Sequence, residues 1–110
     1  MKNIPEADWK YLRTIMLEML ETLCKRINNK ALQILTNAQL SDHEKFLGLH
    51  EHVIEKNEII ARCFDDWRRS NILIKLLALK QERLLTDKHA GHLSEETLER
   101  IAIYERLAEE

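Results

Sequence analysis

The sequence predicts an all-α protein: a long antiparallel helical hairpin, with helices over about 5–35 and 41–85, followed by a short C-terminal helix over about 95–108. Three observations carry that expectation. The chain has two glycines, one proline, 5% aromatic and 33% charged residues, a balance that favours helices packed through aliphatic side chains over sheet or disorder. Apolar residues return every three or four positions along two long stretches. Ser41 and Ser94 stand where helix caps are needed, at the openings of the second and last helices.

The first helix is expected from Pro5 to Leu35, after four loose residues. Pro5 suits a first turn, where its missing amide costs nothing, and Glu6 and Asp8 complement the positive end of the helix dipole. Trp9, Leu12, Met16, Met19, Leu23, Ile27, Ala31 and Ile34 form one apolar stripe. The connection Thr36 to Leu40 is short and polar, with Asn37 able to turn left-handed, so the next helix folds back on the first.

The second helix opens on Ser41 and Glu44, three residues apart, the pattern of a capping box. Its seam is expected to be Phe46, Val53, Ile60, Trp67 and Ile74 at intervals of seven, with Leu49, Cys63, Leu77 and Leu84 in the alternate row, which Lys56 and Ser70 interrupt. Continuous helix over these 45 residues would run roughly 65 Å, so the molecule must be elongated or the helix must bend. The place for a bend is Asp65 to Asn71. There Ser70 and Asn71 weaken a helix interior, while Asp65 and Asp66 stand at helix-supporting spacings from Arg68 and Arg69. These effects are each a few tenths of a kcal/mol and roughly cancel, so the helix is expected to continue.

Thr86 and Asp87 can cap a short turn that Gly91 ends, and Ser94 caps the last helix with Glu95 and Glu96 in its first turn. Leu93 and Leu98 stand at the positions of a hydrophobic staple. The run Ile72 to Leu79 is apolar on nearly every side, and one short helix looks insufficient to surround it. A second copy is therefore expected to complete the bundle, with Trp67, Ile72, Leu73, Ile74, Leu76 and Leu77 at the interface.

Net charge is −2, placed unevenly: +2 over residues 1–40, 0 over 41–85 and −4 over 86–110. No stretch is basic enough to advertise a nucleic-acid surface. Cys24 and Cys63 both fall on apolar faces and read as small hydrophobes in a reducing compartment. Met1 to Trp9 lacks the apolar core of a signal peptide, and the longest apolar run is far short of a membrane span, so a cytoplasmic protein away from membranes is expected.

Candidate chemistry is sparse. His50, His52 and Glu55 are the densest potential metal ligands, yet His50 and His52 point to opposite sides of a helix; solvated side chains, with no metal and no cofactor, are the expectation. Two glycines cannot build a phosphate-cradling loop. Arg83 followed six positions later by His89 resembles the Arg-x(4–6)-His motif of HEPN-type ribonucleases, with Leu84 where that family has a polar residue. The resemblance implies a helical dimer in which paired arginines and histidines act on an RNA phosphodiester. Against it stands the acidic last helix, which would repel RNA beside such a site. The leading expectation is a non-catalytic interaction, scaffold or regulatory module, homodimeric and binding a further protein. A small HEPN-like ribonuclease is the alternative, and a His/Glu metal-binding bundle the third reading.

Overall fold

A computed structural model describes residues 3–110, in which five helices follow one another: α1 (Glu6–Leu35), α2 (Asp42–Phe64), α3 (Ile72–Gln81), α4 (Asp87–Ala90) and α5 (Glu95–Glu109). Pro5 is the residue before α1, and its carbonyl accepts the Trp9 amide at 3.1 Å. The capping box forms as the spacing requires. The Glu44 amide donates to Ser41 Oγ at 3.1 Å, and the Ser41 amide donates to Glu44 Oε1 at 2.9 Å. Ser94 caps α5 by accepting the Thr97 amide at 3.3 Å, with Leu93 buried and Leu98 half-buried beside it.

The second helix is shorter than the sequence suggested. It stops at Phe64, because Asp65 is extended and Asp66 turns left-handed at φ 57°. Side chains from the following turn then satisfy the open end: Trp67 Nε1 donates to the Cys63 carbonyl at 2.7 Å, and Lys75 Nζ reaches the carbonyls of Ala61 and Arg62 at 3.2 and 3.0 Å. Asn71 clamps the loop, its amide nitrogen donating to the Asp66 carbonyl at 2.8 Å and its oxygen accepting the Arg68 amide at 2.9 Å. The expected helix-spaced ion pairs give way to Arg68 on Asp66, two residues back, and Arg69 on Glu6 of α1. A break that looked neutral locally is settled by these partners.

At the break the chain turns back, and α3 packs on both α2 and α5. Ile72, Leu76 and Leu79 have no exposure, and they share one core with Leu12, Ile15 and Met19 of α1, Cys63 of α2, Leu84, Leu93, and Ile101 of α5. This corrects the expectation that the apolar run needs a second copy around it. The chain itself buries Ile72, Leu73, Leu76, Ala78 and Leu79 of the run, with α2 and α5 packed on α3, and leaves Ile74 exposed. Ile4 is also buried, with 1% exposure, where loose chain was expected; the other part of that expectation, residues 1 and 2, lies outside the described residues.

The core occupies one end of the molecule. Between Leu23 and Cys63, which covers the outer half of the α1–α2 hairpin, no apolar side chain is fully buried. The radius of gyration is 16.8 Å and the extents are 53 × 31 × 23 Å, against about 13 Å for a globule of this length. The elongation is this hairpin projecting from its base.

Candidate functional site

Three groups of side chains could carry function: the histidines and Arg83, a cavity between α1 and α2, and the apolar side of the hairpin. His52 is buried on α2, and its Nε2 lies 2.9 Å from the Ile27 carbonyl of α1. A carbonyl only accepts, so that nitrogen carries a proton and its lone pair is not offered to a metal. His50 lies out on the surface, stacked on Phe46 with centroids 6.5 Å apart, and Glu55 is exposed. Among the described residues no group of three His, Cys, Asp or Glu is arranged to hold a metal ion.

Arg83 and His89 are put to different uses. Arg83 has a left-handed backbone at φ 57° and ends α3, followed by amides of Leu84 and Leu85 that return to the Leu79 carbonyl at 2.8 and 3.2 Å. Its own carbonyl, with that of Glu82, accepts the Arg26 guanidinium at 3.2 and 2.8 Å. His89 is buried, and its Nδ1 accepts the Thr86 amide at 3.1 Å, while its Nε2 faces Glu18 at 3.7 Å. The imidazole thus caps the short α4 turn, and the arginine side chain stands in solvent.

A cavity of 380 Å³ opens between α1 and α2 beneath His52. Arg26, Lys30 and Lys56 bring positive charge to it and Glu55 and Glu82 negative charge, over a floor that includes Leu23 and Ile59. It has no nucleophile and no constellation of acid and base beyond these solvated groups. Its place matters more than its chemistry, because Arg26, Lys30 and Glu55 mark one side of the hairpin.

Residues turned the other way around each helix lie on the opposite side. On α1 these are Leu17, Leu20, Cys24, Ala31 and Leu35, and on α2 Phe46, Leu49, Val53 and Ile60. Leu17, Phe46 and Val53 are 65%, 64% and 53% exposed, and the rows are broken by Asn28 on α1 and by Lys56 and Asn57 on α2. The inward row of α2 is instead Gly48, His52, Lys56, Ile59 and Cys63, with a Cβ at Gly48 lying 3.4 Å from Ile34 Cγ2. The seam expected from the sequence, Phe46 with Val53 and Ile74, therefore faces water in the single chain. Of the expected interface residues, Ile72, Leu73 and Leu76 are buried within the chain, Trp67 and Leu77 are half-buried, and Ile74 is 60% exposed.

No family model, no curated protein and no solved structure matches the chain. The fold itself defines an all-α protein, with five helices among the described residues and none of them long and apolar enough to cross a membrane.

Proposed function

We propose that the chain is a non-catalytic helical interaction module that works as a homodimer, its two hairpins pairing through the rows Leu17 to Leu35 and Phe46 to Ile60. One observation carries this reading: between Leu23 and Cys63 a two-helix projection buries no apolar side chain fully, while it holds Leu32, Leu35, Phe46, Leu47, Val53 and Ile54 in water. Two helices alone exclude too little water to repay the order they require. Two more helices of equal length complete a four-helix layer, and a second copy brings them with a matching apolar side. The rows, broken by Asn28 on α1 and by Lys56 and Asn57 on α2 and otherwise apolar, resemble the charge-depleted centre of a subunit contact. Outside that contact, α5 offers Ile103 and Leu107 beside Glu99 and Glu109 to a further, basic protein partner.

Light scattering tests the reading. A mass near twice 13.1 kDa is expected for the wild type, and one near the single-chain value for the double variant Phe46→Glu, Val53→Glu with its helical circular dichroism retained. Both positions are exposed in the single chain, so the variant should fold. A wild type that stays monomeric at high micromolar concentration overturns the proposal.

A further inference from the structure

The cavity of 380 Å³ between α1 and α2 holds no nucleophile, but its lining divides into apolar and charged parts. Leu23, Ile27 and Ile59 supply the apolar surface, Leu23 buried and the two isoleucines half-buried. His52 adds a buried wall, its ring fixed by the bond from Nε2 to the Ile27 carbonyl at 2.9 Å. Arg26, Lys30 and Lys56 bring three cations, and Glu55 and Glu82 two carboxylates. The volume falls within the range of small-molecule pockets, about 300–1,000 Å³, which likewise join an apolar lining to a few placed polar groups.

These charges do not cancel among themselves. Glu82 is drawn towards Arg62 outside the cavity, at 3.6 Å. Arg26 is engaged by the carbonyl end of α3, Nη1 donating to the Glu82 carbonyl at 2.8 Å and Nη2 to that of Arg83 at 3.2 Å, which occupies both arms of the fork that would grip a phosphate. Lys30 and Lys56, one on each helix of the hairpin, make no ion pair among the described residues, and neither does Glu55. Two unpaired ammonium groups against one unpaired carboxylate leave a single positive charge in excess, beside apolar surface. A ligand with one negative charge and an apolar body complements both, whereas a dianion would exceed the excess and meet Glu55 besides. We infer that this cavity binds a small monocarboxylate with a branched aliphatic or aromatic body, its charge between Lys30 and Lys56 and its body on Leu23, Ile27 and Ile59. Such a ligand touches α1, α2 and the residue that follows α3, and by binding the folded arrangement alone it stabilises the hairpin. The cavity lies on the other side of the hairpin from Leu17, Phe46 and Val53, so the inference does not rest on the pairing of two copies.

The test is an amide-detected NMR titration of the full chain with phenylacetate and 4-methylpentanoate, with acetate and phenylacetamide at matched ionic strength as the other arms. The two carboxylates with a body should shift the amides of Leu23, Ile27, His52 and Lys56 saturably, with a Kd on the order of 1 mM or tighter. Acetate, which lacks the body, and phenylacetamide, which lacks the charge, should bind at least about tenfold more weakly. Lys56→Met, which keeps the aliphatic stem, and Lys30→Gln, at an exposed position, should each weaken phenylacetate about fivefold. Glu55→Gln, which removes the opposing charge, should strengthen it. No saturable shift at these amides, binding of acetate or phenylacetamide as tight as that of phenylacetate, or an unaltered affinity in both lysine variants overturns the inference.

Discussion

Thr97 donates its hydroxyl to the Asp8 carboxylate at 2.5 Å, across 89 residues of sequence. The same carboxylate accepts the Ser94 hydroxyl at 2.6 Å and, on its other oxygen, the Ser94 amide at 3.1 Å. Asp8 is 4% exposed and Thr97 not at all. A charge on α1 thus sits at the N-terminus of α5, where the helix dipole favours it, and serves as a cap supplied by another helix.

Removing this carboxylate leaves three donors facing apolar surroundings. Asp8→Ala is expected to cost about 2–4 kcal/mol in urea denaturation, and Asp8→Asn less, because its remaining oxygen can keep the Ser94 amide. Thr97→Val, which preserves shape, should cost about 1 kcal/mol. A loss within 0.5 kcal/mol for Asp8→Ala, on the order of a surface substitution, contradicts the role.

Acid should loosen the start of α2. The Ser41 amide, and then the Ser41 hydroxyl, hold the Glu44 carboxyl below its ordinary value of 4.5. A lowered pKa in the folded state contributes stability that is present above pH 4.5 and lost as pH falls through the folded value. Glu44→Gln cannot titrate. Its urea midpoint should lie below wild type near neutrality, and the two curves should converge as pH drops below the carboxylate range.

Two non-glycine residues, Asp66 and Arg83, hold left-handed backbones at φ 57°. Arg83 contributes only backbone groups at the α3 terminus, its amide donating to the Lys80 carbonyl at 3.0 Å and its carbonyl accepting Arg26 at 3.2 Å, so its side chain is dispensable there. Arg83→Gly should raise stability by about 0.5–1 kcal/mol by relieving the Cβ crowding at this helix end, a gain readable as a higher Tm. A fall in Tm would show that the exposed guanidinium has an unrecognised partner.

Thiol labelling should separate the cysteines. Burial pushes the Cys63 thiol above its ordinary pKa, and the side chain is fully enclosed, so its modification should require unfolding. Cys24 is half-buried on the apolar side of the hairpin and should react in the native state. If the hairpins pair as proposed, its rate should fall as protein concentration rises. A rate independent of concentration speaks against that face.

The features legible in the sequence were those whose determinants are neighbours. Ser41 and Glu44, Pro5, and Ser94 between Leu93 and Leu98 each define a helix start within four residues, and each start lies where it was expected. The break after Phe64 was not legible, because what stabilises it comes from further away: Lys75 on the last carbonyls of α2, and Glu6 drawing Arg69 out of its helix-spaced pairing. The inward face of α2 was hidden for another reason. Its row includes His52 and Lys56, polar residues that line a wet cavity, so hydrophobic periodicity pointed to the Phe46 and Val53 row instead.

The contact between Asp8 and Thr97 also sets an order of events during synthesis on the ribosome. The α1–α2 hairpin joins segments that emerge one after the other, so it can form early. Asp8 leaves the ribosome 86 residues before Ser94, yet its three donors belong to Ser94 and Thr97 at the start of α5, made after the other four helices. Until they arrive its carboxylate must stay hydrated, which holds the base of the nascent chain open and keeps Leu12, Ile15 and Met19 accessible to chaperones. Docking of α5 is then the closing step, and a chain stalled before Ser94 would present those residues to proteases as an unfinished product.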